Sequence, residues 1–67
     1  MNLSVKFLVA LLEKNGFIFK RASGSHRIYY NPLTRKTVVV PFHQGRDLKK
    51  GTFLSILKQA GIDKQDV

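Results

Sequence analysis

The sequence predicts an α+β fold with the element order α-β-β-β-α, in which a three-stranded antiparallel sheet carries two helices on one face. Apolar residues recur at helical spacing near both ends of the chain, which indicates an amphipathic helix at each end. The segment between them is rich in aromatic and β-branched residues and is interrupted by short turn signals, which indicates strands joined by hairpins. Two apolar helical stripes can bury themselves against one face of such a sheet, giving a two-layer fold.

The length of the chain limits the size of this fold. With 67 residues it has room for one domain, and we expect residues 1–67 to form it, with a core at about 3–62 and a short tail at 63–67. A domain this short buries only about 60% of the surface that its unfolded chain exposes, so we expect a total stability on the order of 5 kcal/mol. Because the chain has no cysteine, neither disulfides nor a thiolate zinc site can reinforce it.

The first helix is predicted over residues 4–15. Ser4 is a suitable N-cap, because its hydroxyl can accept a hydrogen bond from a free N–H group of the first turn. The apolar stripe that follows consists of Val5, Leu8, Val9 and Leu12. Asn15 and Gly16 predict the end of the helix, since glycine tolerates the left-handed conformation that often follows a last turn.

Three strands are predicted between the helices, at residues 17–22, 25–30 and 36–40. Ser23 and Gly24 supply a tight turn between the first two strands, and residues 31–35 form the hairpin loop before the third. The third strand has the clearest β signal, a threonine followed by three valines. Pro41 ends it, because proline cannot donate a hydrogen bond to the sheet.

The second helix follows a loop at residues 42–46. Its stripe has the i, i+3, i+4, i+7 pattern and consists of Phe53, Ile56, Leu57 and Ala60. Asp47 or a close neighbour is the expected N-cap, and because Gly51 would cost about 1 kcal/mol in a helix interior, the regular helix is expected to start just after it. Gly61 at the end of the helix and Ile62 beyond it predict a Schellman motif with its apolar contact.

The chain is strongly basic. Twelve Lys and Arg residues stand against four Asp and Glu, which gives a net charge of +8 and a pI near 10.4. This excess favours a polyanionic partner, with nucleic acid first and an acidic protein second. An anionic membrane comes third, because the basic residues do not follow one long amphipathic helix and no apolar run approaches the ~20 residues that span a bilayer. Residues 1–4 lack the features of a signal peptide, so the cytoplasm is the expected location.

His26 is the candidate catalytic residue, because it follows a Gly24-Ser25 turn in a basic hairpin. The basic residues of that hairpin are Lys20, Arg21 and Arg27. RNA can be cleaved without an external nucleophile, since its own 2′-OH attacks the adjacent phosphorus when a base removes its proton and an acid protonates the leaving oxygen. Histidine titrates near neutrality and suits either role. The backbone N–H groups of Gly24 and Ser25 are available to stabilise the charge that develops on the phosphorane.

Other chemistries fit the sequence poorly. Ser25 and His26 are adjacent, so their side chains would alternate across a strand and make a poor nucleophile pair. His26, His43 and Asp47 have no recognisable metal-ligand spacing, and the carboxylates are too scattered for a two-metal nuclease. We therefore expect neither a metal nor any other cofactor. No further residue clearly qualifies as a second acid/base group.

Several of these residues also have a purely structural interpretation, which the sequence leaves open. His26 and His43 are compatible with roles as polar surface or packing residues. Tyr29 and Tyr30 could stack on unpaired bases, but we expect one to pack in the core and the other to cover the edge of the sheet.

Two lysines near the N-terminus of the second helix complete the expected RNA-binding set. Lys49 and Lys50 could hold a phosphate together with the free N–H groups of the first turn. Solvated lysines would give the same pattern. The full set consists of Lys20, Arg21, Arg27, Lys49 and Lys50.

Short motifs follow one another in order along nearly the whole chain, from about residue 3 to residue 62. They are Gly24-Ser25-His26, Ile28-Tyr29, Asn31-Pro32, Val38-Val39-Val40-Pro41, His43, Gly51-Thr52 and Ile56-Leu57-Lys58-Gln59-Ala60-Gly61. In this order and length the chain resembles the HicA toxins, which are mRNA interferases of bacterial and archaeal toxin–antitoxin modules.

The resemblance implies a fold similar to a double-stranded-RNA-binding domain, which is the α-β-β-β-α order predicted above. It implies that His26 is the catalytic histidine and that a HicB-type antitoxin binds and neutralises the protein. Lys50 departs from the family pattern, in which proline is frequent, and this affects the helix start rather than the chemistry. His43 matches a common family position to which we assign no role.

Three functions are consistent with these observations: a metal-independent ribonuclease toxin acting on mRNA, a non-catalytic RNA-binding module, and a domain that binds an acidic protein. His26 at a turn within a basic hairpin favours the first. The toxin is expected to be a monomer when free. Its antitoxin is expected to cover one surface formed by His26, Lys20, Arg21 and Arg27.

Overall fold

The computed structural model describes residues 2–43 and 45–67 and confirms the predicted element order. The elements are α1 (Val5–Lys14), β1 (Ile18–Ser23), β2 (His26–Asn31), β3 (Lys36–Pro41), α2 (Lys50–Ala60) and a 3-10 helix in the tail (Lys64–Asp66). Gln44 of the predicted loop lies outside the described residues. The short 3-10 helix is the one described element that the sequence pattern did not predict.

The predicted start of the first helix is confirmed. Ser4 is the N-cap, and its Oγ accepts a hydrogen bond from the Phe7 N–H at 3.1 Å. Asn15 is the C-cap, and Gly16 after it has a φ of +93°, which glycine adopts at little cost. Leu8 and Leu12 of the predicted stripe are fully buried.

The second helix begins earlier than predicted. Its N-cap is Lys49, which makes no side-chain cap hydrogen bond, so Asp47 is not the cap. Gly51 is tolerated because it lies in the first turn, where the Phe53 N–H already donates to the Lys49 carbonyl at 2.9 Å. The Schellman end is confirmed: Gly61 is left-handed, and the Ile62 N–H donates to the Leu57 carbonyl at 2.9 Å.

The sheet has the order β1-β2-β3, with antiparallel pairing throughout and β2 in the centre. Tyr29 on β2 pairs with Phe19 on one side and Val38 on the other, and directly paired residues share a face of a sheet. Tyr29 and Val38 are buried, whereas the paired residues Ile28 and Val39 are more exposed. Between Phe19 and Arg21 the register shifts, and Lys20 is left without a partner as a β-bulge.

Both helices therefore pack on the face that carries Tyr29, which we call the helix-side face. The core contains Leu8, Leu12, Phe17, Tyr29, Val38, Val40, Leu48, Phe53, Ile56, Leu57, Ala60 and Ile62. The opposite face, which we call the open face, presents Ile18, Ile28, Tyr30, Thr37 and Val39. This arrangement confirms the predicted packing of two helices on one side of the sheet.

Asn31, the one buried polar residue in the described part of the chain, joins α1 to the β2–β3 hairpin. Its Nδ2 donates to the Asn15 carbonyl at 2.9 Å, and its Oδ1 accepts from the Leu33 N–H at 3.0 Å. The hairpin closes through a hydrogen bond of 2.7 Å from the Arg35 N–H to the Asn31 carbonyl. A buried amide with these partners fixes the end of the sheet that lies farthest from His26.

Candidate functional site

His26 lies at the start of β2, directly after the turn at residues 24–25. It pairs with Ser23 on β1 and with Pro41 on β3. Because successive strand residues alternate between faces, and Tyr29 lies on the helix-side face, His26 lies on the open face. Its side chain is exposed, so a macromolecular substrate can reach it.

The turn before His26 is fixed by a glycine and by a hydrogen bond to the end of β3. Gly24 has a φ of +59°, a left-handed conformation that other residues rarely adopt. A Cβ added there would meet nothing within 4 Å, so the backbone angle, not a lack of space, favours glycine. The Ser25 carbonyl accepts a hydrogen bond of 2.7 Å from the Phe42 N–H. The chain on either side of His26 is therefore held in place.

Two of the expected RNA-binding residues share the open face with His26. Arg21 pairs with Ile28, two residues after His26 on the same strand, and so lies on the same side. The Lys20 Nζ lies 5.0 Å from the centre of the Tyr30 ring, which also belongs to the open face. The open face thus combines an accessible imidazole with two cations.

The structure separates Arg27 from His26, in contrast to the expectation of one shared surface. Arg27 is the next residue along β2 and pairs with Val40, which is buried under the helices. Its guanidinium carbon lies 4.2 Å from the centre of the Phe42 ring. The expectation treated the basic hairpin as a single surface, whereas strand alternation sends the two side chains to opposite faces.

Of the expected pair at the second helix, Lys49 lies near the same end of the sheet as His26. Lys49 and Lys50 are both exposed. Lys49 lines a small cleft of about 370 Å³, together with Pro41 and His43 among others. Since Pro41 pairs with His26, this cleft adjoins the end of β3 that neighbours the candidate catalytic residue.

A larger cleft of about 860 Å³ opens on the helix side, between α1, the turn at residues 24–25 and the loop after β3. We call it the α1 cleft. Prominent among its lining residues are Lys6, Arg27, Tyr29, Phe42, His43 and Arg46.

The hydroxyl of Tyr29, which lines the α1 cleft, has a shifted pKa. Burial raises the pKa of this hydroxyl above its usual value; the charge of Glu13 adds to the rise, and that of Arg27 opposes it. That hydroxyl therefore stays protonated at neutral pH.

Sequence reasoning missed the α1 cleft and three of its residues. Lys6, Phe42 and Arg46 come from a helix face and from a loop, and no local pattern relates them. One sequence signal was available: adjacent strand residues point to opposite faces, so Arg27 had to lie on the face opposite His26, which is the helix-side face.

The predicted separation of the two tyrosines is confirmed in part. Tyr29 is buried, and Tyr30 is half-buried on the open face of the central strand, not at an edge.

Two negative findings apply to residues 2–43 and 45–67. Within this part of the chain, no three His, Asp or Glu side chains come together in a group that could hold a metal ion. None of the helices described there combines the length and the apolar character that crossing a membrane requires.

Comparison with known protein families identifies a family that matches most of the chain. The family described as the HicA toxin of bacterial toxin–antitoxin systems matches residues 5–62, which run from the first residue of α1 to the end of the Schellman motif. Curated proteins gave no match.

Proposed function

The chain belongs to the HicA toxin family of bacterial toxin–antitoxin systems, and on that premise we propose that it is a metal-independent endoribonuclease whose catalytic residue is His26. The proposed substrate is mRNA, whose cleavage would arrest growth until an antitoxin neutralises the toxin. Acting on mRNA places the toxin in the cytoplasm.

The observation that carries this proposal is the setting of His26 on the open face. An exposed imidazole follows a turn held by Gly24, and Arg21 and Lys20 lie on the same face. Cations beside an accessible proton-transfer group are what a phosphodiester substrate needs, because they hold the phosphate while the proton moves. The net charge of +8 strengthens attraction to RNA over the whole surface.

The reaction needs only atoms of the RNA and of side chains. The 2′-oxygen forms a bond to the adjacent phosphorus, and the bond from phosphorus to the 5′-oxygen breaks. A base takes the 2′-hydroxyl proton, and an acid gives a proton to the leaving 5′-oxygen, so the products end in a 2′,3′-cyclic phosphate and a 5′-hydroxyl. His26 serves in one of these proton transfers, a role that typically contributes 10²–10⁴-fold to the rate. Arg21, which pairs with the residue two positions along the strand from His26, stabilises the phosphorane charge, and Lys20, beside Tyr30, holds a phosphate farther along the RNA.

HicA toxins are paired with HicB-type antitoxins, and we propose that such an antitoxin covers the open face. This face presents His26 at one end, the apolar side chains of Ile28, Val39 and Ile18 along the strands, and two cations. An acidic antitoxin surface with apolar contacts would complement it and exclude RNA at the same time. The toxin would be a monomer before this complex forms.

The test is cleavage of RNA by purified protein in EDTA. We expect wild-type protein to cut, and His26→Ala and His26→Gln to lose cleavage by at least ~100-fold while RNA affinity changes only a few-fold, because one histidine adds little to phosphate binding. Ser23→Ala is the matched control, since Ser23 pairs directly with His26 on the same face. Circular dichroism establishes that each variant is folded.

Three outcomes would contradict the proposal. Full cleavage by folded His26→Ala removes His26 from the mechanism. Loss of activity in EDTA that Mg²⁺ restores refutes the metal-independent reaction. RNA binding without any cleavage by the wild type favours the second candidate, a non-catalytic RNA-binding module, which the basic open face alone would support.

A further inference from the structure

The α1 cleft has the mixed lining that a nucleotide requires. Val5, Val9 and Ala10 of α1 form an apolar wall, and the half-buried Phe42 adds an aromatic ring from the sheet side. Tyr29 also lines the cleft, but at 4% exposed it offers little open ring surface. Its volume of about 860 Å³ lies within the range of small-molecule sites in proteins. The Phe42 ring can stack on a base of any identity.

The charged residues of the cleft fit the rest of a nucleotide. Lys6, Arg27 and Arg46 supply three cations from a helix, a strand and a loop, and these suit a phosphate. Glu13 and Asp47 also line the cleft. Their carboxylates accept hydrogen bonds, which suits ribose hydroxyls and the amino groups of bases.

The position of the cleft relates it to His26. Gly24 and Ser25 line the cleft, and His26 follows them directly on the other face of the sheet. The turn at residues 24–25 is therefore the rim between the two surfaces. A single RNA strand that crosses this rim would place one nucleotide in the cleft and a neighbouring phosphate beside His26.

We propose that the α1 cleft is a nucleotide-binding subsite, which takes a nucleotide of the single-stranded RNA next to the bond that is cut. This inference rests on the proposed function. It gives Arg27 a role on the helix side, beside Phe42, and it adds Lys6 and Arg46 to the RNA-binding residues. The enzyme then holds RNA on two faces of one sheet, with the turn between them.

RNA is favoured over an acidic peptide as the occupant. The acidic side chains of such a peptide only accept hydrogen bonds, so they would offer no donor to the carboxylates of Glu13 and Asp47, whereas a nucleotide carries hydroxyl and amino donors. A nucleotide uses all three kinds of lining group at once: the Phe42 ring for the base, cations for the phosphate and carboxylates for hydroxyl or amino groups.

The test measures binding separately from cleavage. Fluorescence anisotropy of a labelled ten-nucleotide oligouridine is followed on His26→Ala protein, alone and combined with Arg46→Glu or Lys6→Glu. Lys6 is the second residue of α1, where a glutamate suits the helix dipole, so this variant is expected to fold. Lys64→Glu is the control, because it makes the same charge change in the tail, away from the cleft.

We expect each cleft variant to weaken RNA binding about tenfold and the control to weaken it less than twofold. The slope of log affinity against log salt concentration should fall by about 0.7 for each phosphate that the variant no longer neutralises. Phe42→Leu should weaken binding several-fold without changing that slope, because it removes a stacking surface and leaves the charge unchanged.

Equal losses for the cleft variants and Lys64→Glu would overturn the inference, since bulk charge would then explain them. Unchanged RNA affinity with weakened antitoxin binding would overturn it too, by assigning the cleft to a protein segment. If wild-type protein does not cleave RNA but the cleft variants still lose RNA binding, the subsite stands and the ribonuclease proposal fails. If the wild-type protein cleaves RNA and the cleft variants bind RNA as tightly as their parent, the ribonuclease proposal stands and the subsite is refuted.

Discussion

The two faces of the sheet differ in what they contribute, although the same strands build both. On β3, Val40 is fully buried under the helices, whereas its neighbour Val39 is 45% exposed on the open face. On β2, Arg27 and His26 are divided in the same way. The helix-side face supplies the apolar contacts that fold the chain, and the open face is free to carry His26. Strand alternation therefore separates the buried core from the proposed catalytic residue at a spacing of one residue.

The largest effect is expected where the helix-side face is most tightly packed. Leu57 is 1% exposed and belongs to the core, so Leu57→Ala should destabilise the protein by about 2–5 kcal/mol through reduced burial and a cavity. That approaches the whole stability of a domain of this size. Urea denaturation measures the change, and a midpoint equal to wild type would contradict the assignment of this face as the source of stability.

A smaller loss is expected at the hairpin anchor. Asn31→Ala should cost about 1–3 kcal/mol, because the Asn15 carbonyl and the Leu33 N–H lose their partner at a site that is 3% exposed. Leu33→Ala serves as the control, since Leu33 is 87% exposed in the same loop and its side chain makes no hydrogen bond. Thermal melts that show equal losses for the two variants would mean that the buried amide contributes nothing specific.

Reversing one charge on each face of the sheet should affect the binding of antitoxin and of RNA differently. Arg21→Glu should weaken antitoxin association several-fold, mainly through a slower on-rate at low salt, because Arg21 lies on the face that the antitoxin is proposed to cover. Arg27→Glu, which changes the charge equally on the helix side, should weaken RNA binding and leave antitoxin affinity nearly unchanged. Stopped-flow association at two salt concentrations measures the antitoxin effect, and anisotropy with labelled RNA measures the other. Equal effects of the two variants on the antitoxin would mean that it reaches around the turn to both faces.

The smallest change in stability is expected for a substitution on the open face, and the same substitution on the neighbouring residue provides a direct comparison of the two faces. Val39→Thr on the open face should change stability by no more than about 0.5 kcal/mol, because the hydroxyl remains in water. Val40→Thr makes the same change one residue further along and should cost about 1–3 kcal/mol, since it buries a hydroxyl without a partner. Similar losses in the two variants, measured by urea denaturation, would show that the open face is not free in solution.

The fold could be predicted to a large extent from local signals. The cap at Ser4, the turn at Gly24 and the Schellman end at Gly61 each depend on residues close in sequence, and all three are present. The start of α2 was misplaced because Gly51 was treated as an interior residue, whereas in the first turn it costs less. Local helix propensity does not show which residue opens the first turn, so it does not reveal that the first hydrogen bond of α2 is accepted by the Lys49 carbonyl.

The candidate site was predictable only in part. His26 stands where the turn and strand pattern placed it, exposed after residues 24–25. The prediction that Arg27 and His26 share a surface was wrong, because it considered only that they are adjacent in sequence. Adjacent residues of a strand place their side chains on opposite faces of the sheet. The α1 cleft was beyond sequence reasoning, since it depends on the packing of Lys6 and Arg46 against one side of the sheet.

The bulge at Lys20 also affects how copies of this protein meet. β1 is an edge strand, and its backbone groups would be open to pairing with the edge of a second sheet. The register shift between Phe19 and Arg21 bends that edge, and the unpaired residue is a lysine. A regular run of exposed N–H and C=O groups is thereby broken at its middle by a charge. Along this border the chain is protected from edge-to-edge aggregation, even though Ile18 and Phe19 are both at least half exposed.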